Sequence, residues 1–241
     1  MVDIKSQLDP KLRKIINNKK QVAVIPVGSI EQHGPHLPIS TDSDIVSKVA
    51  EKISQKFDFL LLPTINYGVS FEHGPFFNLS LKQTTLQKVL IDLCSSLVEN
   101  NVKTTFIING HHGNLKAIKN INKKFEDAKN KVFVFSYWHF QTREFDHAGF
   151  VETSLMLAIS NNVKMKLAKK GLVTDGLTAN QIKKLGKMAS KSFPKVTKNG
   201  VWGDPTKATK KEGQRILCEI IENLGKKCQT CLTGNSLKFH Q

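Results

Sequence analysis

Four short apolar runs rich in β-branched residues constrain the fold of this 241-residue chain more than any other feature. They are residues 22–27, 59–62, 104–108 and 132–135. Their length and continuous apolar character favour strands that are buried on both faces. Stretches of helical periodicity alternate with them, at residues 43–56, 81–100, 115–128 and 150–160. This alternation predicts an α/β fold in three layers, α/β/α, with a mainly parallel sheet in the middle.

Length and composition predict a single domain. With 39% hydrophobic and 23% charged residues, the chain has an ordinary globular composition. Residues 171–205 lack clear strand signal, and residues 206–224 have the spacing of a closing helix. We therefore expect one domain over residues 1–227 and a flexible C-terminal tail over residues 228–241. The Cys228-x-x-Cys231 pair in that tail is weak evidence for metal or redox chemistry, because it is isolated at a terminus.

The chain is strongly basic, with 36 Lys+Arg against 20 Asp+Glu and a net charge of +16. The lysines are scattered along the helical stretches without the interleaved aromatic residues of a nucleic-acid platform. We therefore expect a solvated basic surface that suits a phosphorylated small substrate, and no nucleic-acid partner. Since no apolar run approaches about 20 residues and the N-terminus has no signal-type segment, we also expect a cytoplasmic protein without a membrane partner.

Seven of the eight histidines lie in or beside segments that follow the predicted strands. They are His33, His36, His73, His111, His112, His139 and His147. In a parallel sheet the ligand crevice lies beyond the carboxyl ends of the strands. A single histidine is more often a structural residue than a ligand, but the joint pattern favours a functional site.

Carboxylates accompany these histidines. Glu31 and His33 are two residues apart, so in extended backbone both side chains can point toward one cation. Asp42 follows two prolines and is placed to bridge two metal ions about 3.5 Å apart. His111 is flanked by glycines that allow a close approach. Glu152 falls in the first turn of a predicted helix, where an ordinary helix-capping role is the alternative.

Five segments, in chain order, resemble the creatininase family of amidohydrolases. They are PVGSIEQHGPHLPISTD (26–42), the S-x-E-H of residues 70–73, NGHHGN (109–114), HAGFVETS (147–154) and GVWGDPTKAT (200–209). The first is highly specific, and the others are convincing together. The resemblance implies a three-layer α/β/α fold and a centre of two divalent metal ions, zinc, iron or manganese, that activates water against an amide.

The resemblance also implies a ligand set. Position by position it gives Glu31, His33, Asp42 and His111 as metal ligands, with Asp42 bridging. Creatinine-hydrolysing members carry a glutamate two residues after the first histidine of the NGH motif, where this chain has Gly113. Glu152 is therefore inferred to complete the site, as in the NGHGGN-type branch.

Further roles are expected around these ligands. His147 is the candidate acid that protonates the departing nitrogen, with Asp146 as a group that tunes it, and Glu152 is the second candidate catalytic residue. Candidate substrate-binding residues are His36, Glu72, His73, His112 and Trp138. For His36 and His73, structural hydrogen bonding is an equal alternative.

The favoured substrate within the family is the formamide of a ribosylaminopyrimidine phosphate in flavin or deazaflavin biosynthesis, because residues 40–44 and 72–76 look similar to that branch. Creatinine or another cyclic amide, and the precursor of a peptide-derived redox cofactor, are alternatives within the family, and an inactive metal-binding regulatory subunit is an alternative of another class. Residues 76–79 form a loop one residue shorter than in many relatives, which leaves the pocket shape open. Family members form closed oligomers, so a homo-oligomer is expected.

Overall fold

The computed structural model of the chain describes residues 1–18, 22–126, 131–144 and 146–233. The strands in these residues are β1 (Val2–Asp3), β2 (Val22–Val27), β3 (Leu60–Leu61), β4 (Thr104–Asn109) and β5 (Lys131–Ser136). The α-helices are α1 (Asp9–Asn18), α2 (Thr41–Phe57), α3 (Gln83–Glu99), α4 (Leu115–Ile118), α5 (Phe150–Ile159), α6 (Ala179–Ala189) and α7 (Lys210–Thr233). None of these helices is long and apolar enough to cross a membrane.

The five strands form one parallel sheet in the order β1-β3-β2-β4-β5. β2 and β4 lie at its centre and pair over six positions, from Val22 opposite Thr104 to Val27 opposite Asn109. Because all pairs are parallel, the carboxyl ends of the strands meet at one edge. The predicted parallel sheet is confirmed.

Apolar residues cover both faces of the sheet. Successive residues of β2 point to opposite sides, so Val24 joins one cluster with α2, α5 and α7, while Ile25 joins another with α1, α3 and α4. This explains the continuous apolar runs in the sequence and confirms the three layers. α6 belongs to neither layer, and only Ala189 of its residues is buried.

The helix predicted over residues 115–128 is wrong in its extent. α4 ends at Ile118, and Asn120 takes a left-handed conformation with φ of 62°, which an α-helix does not continue through. A short 3₁₀ helix, Asn122–Phe125, follows. Of the other four predicted helices, α2, α3 and α5 are confirmed within about two residues, and α7 begins at Lys210, four residues later than predicted. β1, α1 and α6 carried signals too short or too polar to be predicted.

The flexible tail predicted from residue 228 is also wrong for its first six residues, since α7 continues to Thr233. Ile216, Ile220, Leu224 and Cys228 follow one another at four-residue intervals, and all are fully buried. Cys228 therefore extends the apolar stripe of α7, and burial raises the pKa of its thiol above the ordinary range. Residues 234–241 lie outside the described residues.

Candidate active site

The five candidate metal ligands converge at the carboxyl edge of the sheet. Glu31 and His33 follow β2, Asp42 lies in the first turn of α2, His111 follows β4, and Glu152 lies in the first turn of α5. Their exposed fractions are all 5% or less. Residues separated by up to 121 positions along the chain, from Glu31 to Glu152, thus share one buried cluster.

Asp42 lies between two histidines. Its Oδ1 is 3.2 Å from His33 Nε2, and its Oδ2 is 2.9 Å from His111 Nδ1. The two oxygens of one carboxylate therefore face nitrogen atoms that arrive from two different strand ends. This is the arrangement expected of a carboxylate shared by two cations.

Two sets of three side chains have a metal-binding geometry, and Asp42 belongs to both. Glu31, Asp42 and His111 form one set, and His33, Asp42 and Glu152 form the other; within each set the potential ligand atoms lie within 4.8 Å of one another. Glu31, His33 and His147 form a third, overlapping set. Imidazole nitrogen and carboxylate oxygen suit zinc, manganese and ferrous iron.

Two buried oxygen atoms support the fit to a cation. Glu31 Oε1 and Asp42 Oδ2 lack a hydrogen-bond partner within the described residues. His73 Nε2 lies 3.0 Å from Glu31 Oε1, and His111 Nδ1 lies 2.9 Å from Asp42 Oδ2, but neither contact has hydrogen-bond geometry. A buried carboxylate oxygen without a donor is costly, and a bound cation removes that cost.

Hydrogen bonds to backbone oxygen atoms orient the histidines of the cluster. His33 Nδ1 lies 3.1 Å from the backbone oxygen of Glu31, and His111 Nε2 lies 2.9 Å from the backbone oxygen of Val69. In the tautomers that donate to these carbonyls, the other ring nitrogen is free to bind a metal ion. The Ala148 backbone N–H similarly donates to Glu152 Oε2 at 2.6 Å.

The cluster holds protons when no cation is bound. Burial lowers the pKa of His33 and His111, but the neighbouring carboxylates outweigh it and raise both values to about 10. Burial and the nearby charges of Asp42 and Asp146 raise the pKa of Glu152 to about 8. The pKa of Asp42 is lowered because the two cationic histidines outweigh its burial. Metal ions compete with these protons for the same atoms.

A cavity of about 380 Å³ opens above the cluster. Asp42, His111 and Glu152 line it, and residues of α6 form part of its wall. The remaining lining side chains belong mostly to histidine, aromatic, aliphatic and acidic residues, and the described lining contains no lysine or arginine. The positive charge of the chain is therefore not concentrated where a substrate would bind.

His147 lines this cavity, as expected of a catalytic residue. Its Nδ1 lies 3.9 Å from Glu31 Oε1, and its Nε2 lies 3.0 Å from the backbone oxygen of Gln32. Burial, reinforced by the cationic form of His33, holds the pKa of His147 well below its ordinary value. Within the described residues no hydrogen bond or ion pair joins Asp146 to this ring. Asp146 instead accepts hydrogen bonds from the backbone N–H groups of Val151 at 2.7 Å and Glu152 at 3.4 Å.

Three of the five candidate substrate-binding residues line the cavity: Glu72, His73 and His112. His36 does not line the cavity. Its ring is buried against α5, with Nε2 2.9 Å from Thr153 Oγ1, which favours the structural alternative. Trp138 is only 8% exposed and lies behind His112, with their ring centroids 6.3 Å apart. His36 and Trp138 thus pack beneath residues of the site and do not line the cavity.

Among the residues that were not expected, two contact the cavity histidines directly. The side-chain nitrogen of Gln32 lies 3.1 Å from His73 Nδ1 and 3.0 Å from His147 Nε2, so this amide joins two cavity histidines. Phe193 stacks on His73 with ring centroids 4.7 Å apart. Gln32 lies inside the most specific motif, so the sequence offered a signal for it. Phe193 lies in residues 171–205, where no motif or periodicity pointed to the site.

Comparisons with known proteins identify the family of the chain. The sequence model of the family described as "Creatininase: Creatinine amidohydrolase" matches residues 8–228. The mycofactocin precursor peptide peptidase of Mycolicibacterium smegmatis is 31% identical over 232 residues, covering 90% of this chain and 87% of that protein. The 2-amino-5-formylamino-6-ribosylaminopyrimidin-4(3H)-one 5'-monophosphate deformylase of Methanocaldococcus infernus is 30% identical over 226 residues, covering 88% and 92%.

A solved structure described as "Creatininase Mn" shares the fold, with a TM-score of 0.78 over 95% of this chain and 97% of that one at 20% identity. The family match and the buried cluster thus identify a metal-dependent hydrolase that acts on carbon–nitrogen bonds. Because the family match spans most of its length, the chain belongs to the creatininase family of amidohydrolases. The resemblance found in the sequence is confirmed.

Proposed function

We propose that the protein hydrolyses an amide in the cavity with the help of two divalent ions held by five buried side chains. Glu31, Asp42 and His111 would hold one ion, and His33, Asp42 and Glu152 the other. The position of Asp42, with one oxygen toward His33 and the other toward His111, carries this proposal. The two unpartnered oxygens, Glu31 Oε1 and Asp42 Oδ2, support it.

Bound divalent ions supply acidity, since they bring the pKa of water toward neutrality and polarise a carbonyl group. The chain's own residues position the reaction. We assign proton transfer to His147, because a neutral imidazole at the cavity wall can accept a proton at one nitrogen and return it to the departing amine. Gln32 holds this ring and that of His73 in place.

The cavity lining favours a substrate with an apolar group beside its amide. Ile182, Ala189 and Phe193 contribute apolar surface, whereas the described lining offers no lysine or arginine for a phosphate. The name of the M. smegmatis relative, a precursor peptide peptidase, supports a peptide-derived amide of this kind.

The formamide of a ribosylaminopyrimidine phosphate is the second candidate. The name of the M. infernus relative supports it, as does the net charge of +16. The phosphate would then lie outside the cavity, because the lining itself lacks a cation. Creatinine is a third substrate to assay. The inactive regulatory subunit receives no support, because all five candidate ligands are present and meet in one cluster.

Metal analysis followed by amide hydrolysis tests this function. The purified protein is loaded with manganese or zinc, and bound metal is counted in the wild type, Asp42→Asn, Glu152→Gln and Glu144→Gln. Glu144 lines the cavity outside the three metal-binding sets, so Glu144→Gln is the matched control. Each variant is assayed with apolar peptide amides, the formamide nucleotide and creatinine.

We expect two ions per wild-type chain, weak binding of both ions in Asp42→Asn and retention of one ion in Glu152→Gln. Hydrolysis of the true substrate should fall at least about a hundredfold in Asp42→Asn, since the contribution of ion activation is lost. Full metal content and full activity in Asp42→Asn would refute the assignment. Glu144→Gln should keep two ions.

A further inference from the structure

We propose that Gly186 determines substrate specificity, by leaving room against α6 for an aliphatic or aromatic group attached to the scissile amide. The inference rests on the proposed function, because it needs the amide to lie at the metal-binding cluster. Ile182, Gly186 and Ala189 are spaced four and three residues apart, so they share one face of α6. All three line the cavity.

Gly186 has no structural reason to be glycine. It lies inside an α-helix, where glycine costs about 1 kcal/mol relative to alanine. A Cβ built on it would meet no atom within 4 Å, so no close packing excludes a side chain. Its backbone is not in the left-handed region either. The consequence of glycine here is the open space that it leaves in the cavity.

Candidate metal ligands line the same cavity. Asp42 lines it, and the buried Oδ2 of Asp42 is without a hydrogen-bond partner in the described chain. An amide bound at Asp42 would therefore share this cavity with Ile182 and Gly186, and a substituent that fills the cavity would contact them. Lys183, Lys184 and Lys187 are exposed and absent from the lining, so the α6 wall offers apolar contact rather than charge.

Both ends of α6 are held in place. At its start, Thr178 and Gln181 form a reciprocal capping box, in which the Thr178 hydroxyl accepts the Gln181 backbone N–H. Beyond its end, Phe193 stacks on His73 and meets the edge of His147, each at 4.7 Å between ring centroids. The α6 wall is thus fixed relative to His73 and His147 and can select substrates by length.

Binding of alkyl hydroxamates tests this without requiring turnover, because the hydroxamate group chelates divalent ions and directs its alkyl chain into the cavity. Dissociation constants of acetohydroxamate and hexanohydroxamate are measured by calorimetry on the manganese-loaded protein. In the wild type we expect affinity to rise about fourfold for each methylene that α6 buries. Gly186→Leu should fill that space and remove most of the gain with chain length.

Two variants separate volume from helix stability. Gly186→Ala improves the helix while adding one methyl group, so it should keep most of the gain with chain length. Lys184→Leu places the same leucine on the exposed face of α6 and should leave both constants unchanged. Circular dichroism confirms that each variant is folded.

The possible results distinguish the role of Gly186 from the proposed metal site. Loss of the length dependence in Gly186→Leu alone supports the inference. If Gly186→Leu keeps the wild-type length dependence, or if Lys184→Leu loses it equally, the inference is wrong while acetohydroxamate binding still supports the metal site. If acetohydroxamate does not bind the manganese-loaded wild type, the proposed function fails, and the inference fails with it.

Discussion

Gly113 and Glu72 occupy adjoining space beside the metal-binding cluster. A Cβ at position 113 would lie 2.6 Å from Glu72 Oε1 and 2.5 Å from His111 Nε2. The carboxylate of Glu72 therefore stands where a side chain at position 113 would begin. The creatinine-hydrolysing members that the sequence resembles carry a glutamate at that position. Here the position has no side chain, and the carboxylate of Glu72, from another loop, occupies the adjoining space.

Gly113→Ala should damage the site. Its Cβ would also lie 2.0 Å from the backbone oxygen of Val69, which cannot move aside as a flexible side chain can. We expect a loss of about 1–3 kcal/mol in the free energy of unfolding, and weaker metal binding because His111 is displaced. Chemical denaturation and metal titration measure the two effects.

Gly186→Ala is the control for that substitution, since its Cβ meets nothing within 4 Å. It should raise the free energy of unfolding by up to about 1 kcal/mol. Wild-type stability and metal affinity in Gly113→Ala would show that the close approach of Gly113 to Glu72 and His111 is unimportant.

The stability of the metal-stripped protein should fall as pH rises. The folded-state pKa of His33 and of His111 is about 10, above the ordinary value of 6.5. The folded state therefore binds more protons than the unfolded state between these values, and stabilisation that is complete below pH 6.5 is lost as pH approaches 10. The raised pKa of Glu152, about 8 against 4.5, acts in the same direction.

Metal-loaded protein should behave differently, because ions replace these protons and bind more tightly as pH rises. Scanning calorimetry of loaded and stripped samples from pH 6.5 toward pH 10 should show a widening difference in Tm. A difference that is constant or narrows with pH would mean that protons and ions do not compete for the same atoms.

Asp146 should act as a positioning residue for Glu152. Its carboxylate accepts the Val151 and Glu152 backbone N–H groups at the start of α5. Asp146→Ala would leave a buried N–H without an acceptor, so we expect a loss of about 1–3 kcal/mol in unfolding free energy together with weaker metal binding. Denaturation and metal titration measure both, and Asp146→Asn, which keeps one acceptor oxygen, should lose less. Equal losses in the two variants would contradict this role.

The sequence predicted the parts of the site that lie directly after strands. In a parallel sheet all strand ends share one edge, so Glu31, His33 and His111 had to lie close together once β2 and β4 were recognised. The wall of the cavity was not predictable in the same way. α6 packs into neither helical layer, so its few apolar residues made a weak periodic signal. Phe193 reaches the histidines only through tertiary packing.

Two errors have a common physical origin. The helix over residues 115–128 was extended across Asn120, and the tail was begun at Cys228, because local pattern alone does not reveal where burial begins or ends. The left-handed backbone of Asn120 ends the predicted helix early. α7, in contrast, continues to Thr233, through the first six residues of the predicted tail. His36 and Trp138 follow strands in sequence and are therefore predicted to bind substrate, but both side chains are buried, and for His36 this favours the alternative of structural hydrogen bonding.

Anomalous diffraction from crystals of the manganese- or zinc-loaded protein tests the central claim most directly. The account predicts two peaks about 3.5 Å apart on either side of Asp42. One should contact Glu31 and His111, and the other should contact His33 and Glu152. A single peak, or peaks that do not contact Asp42, would contradict it.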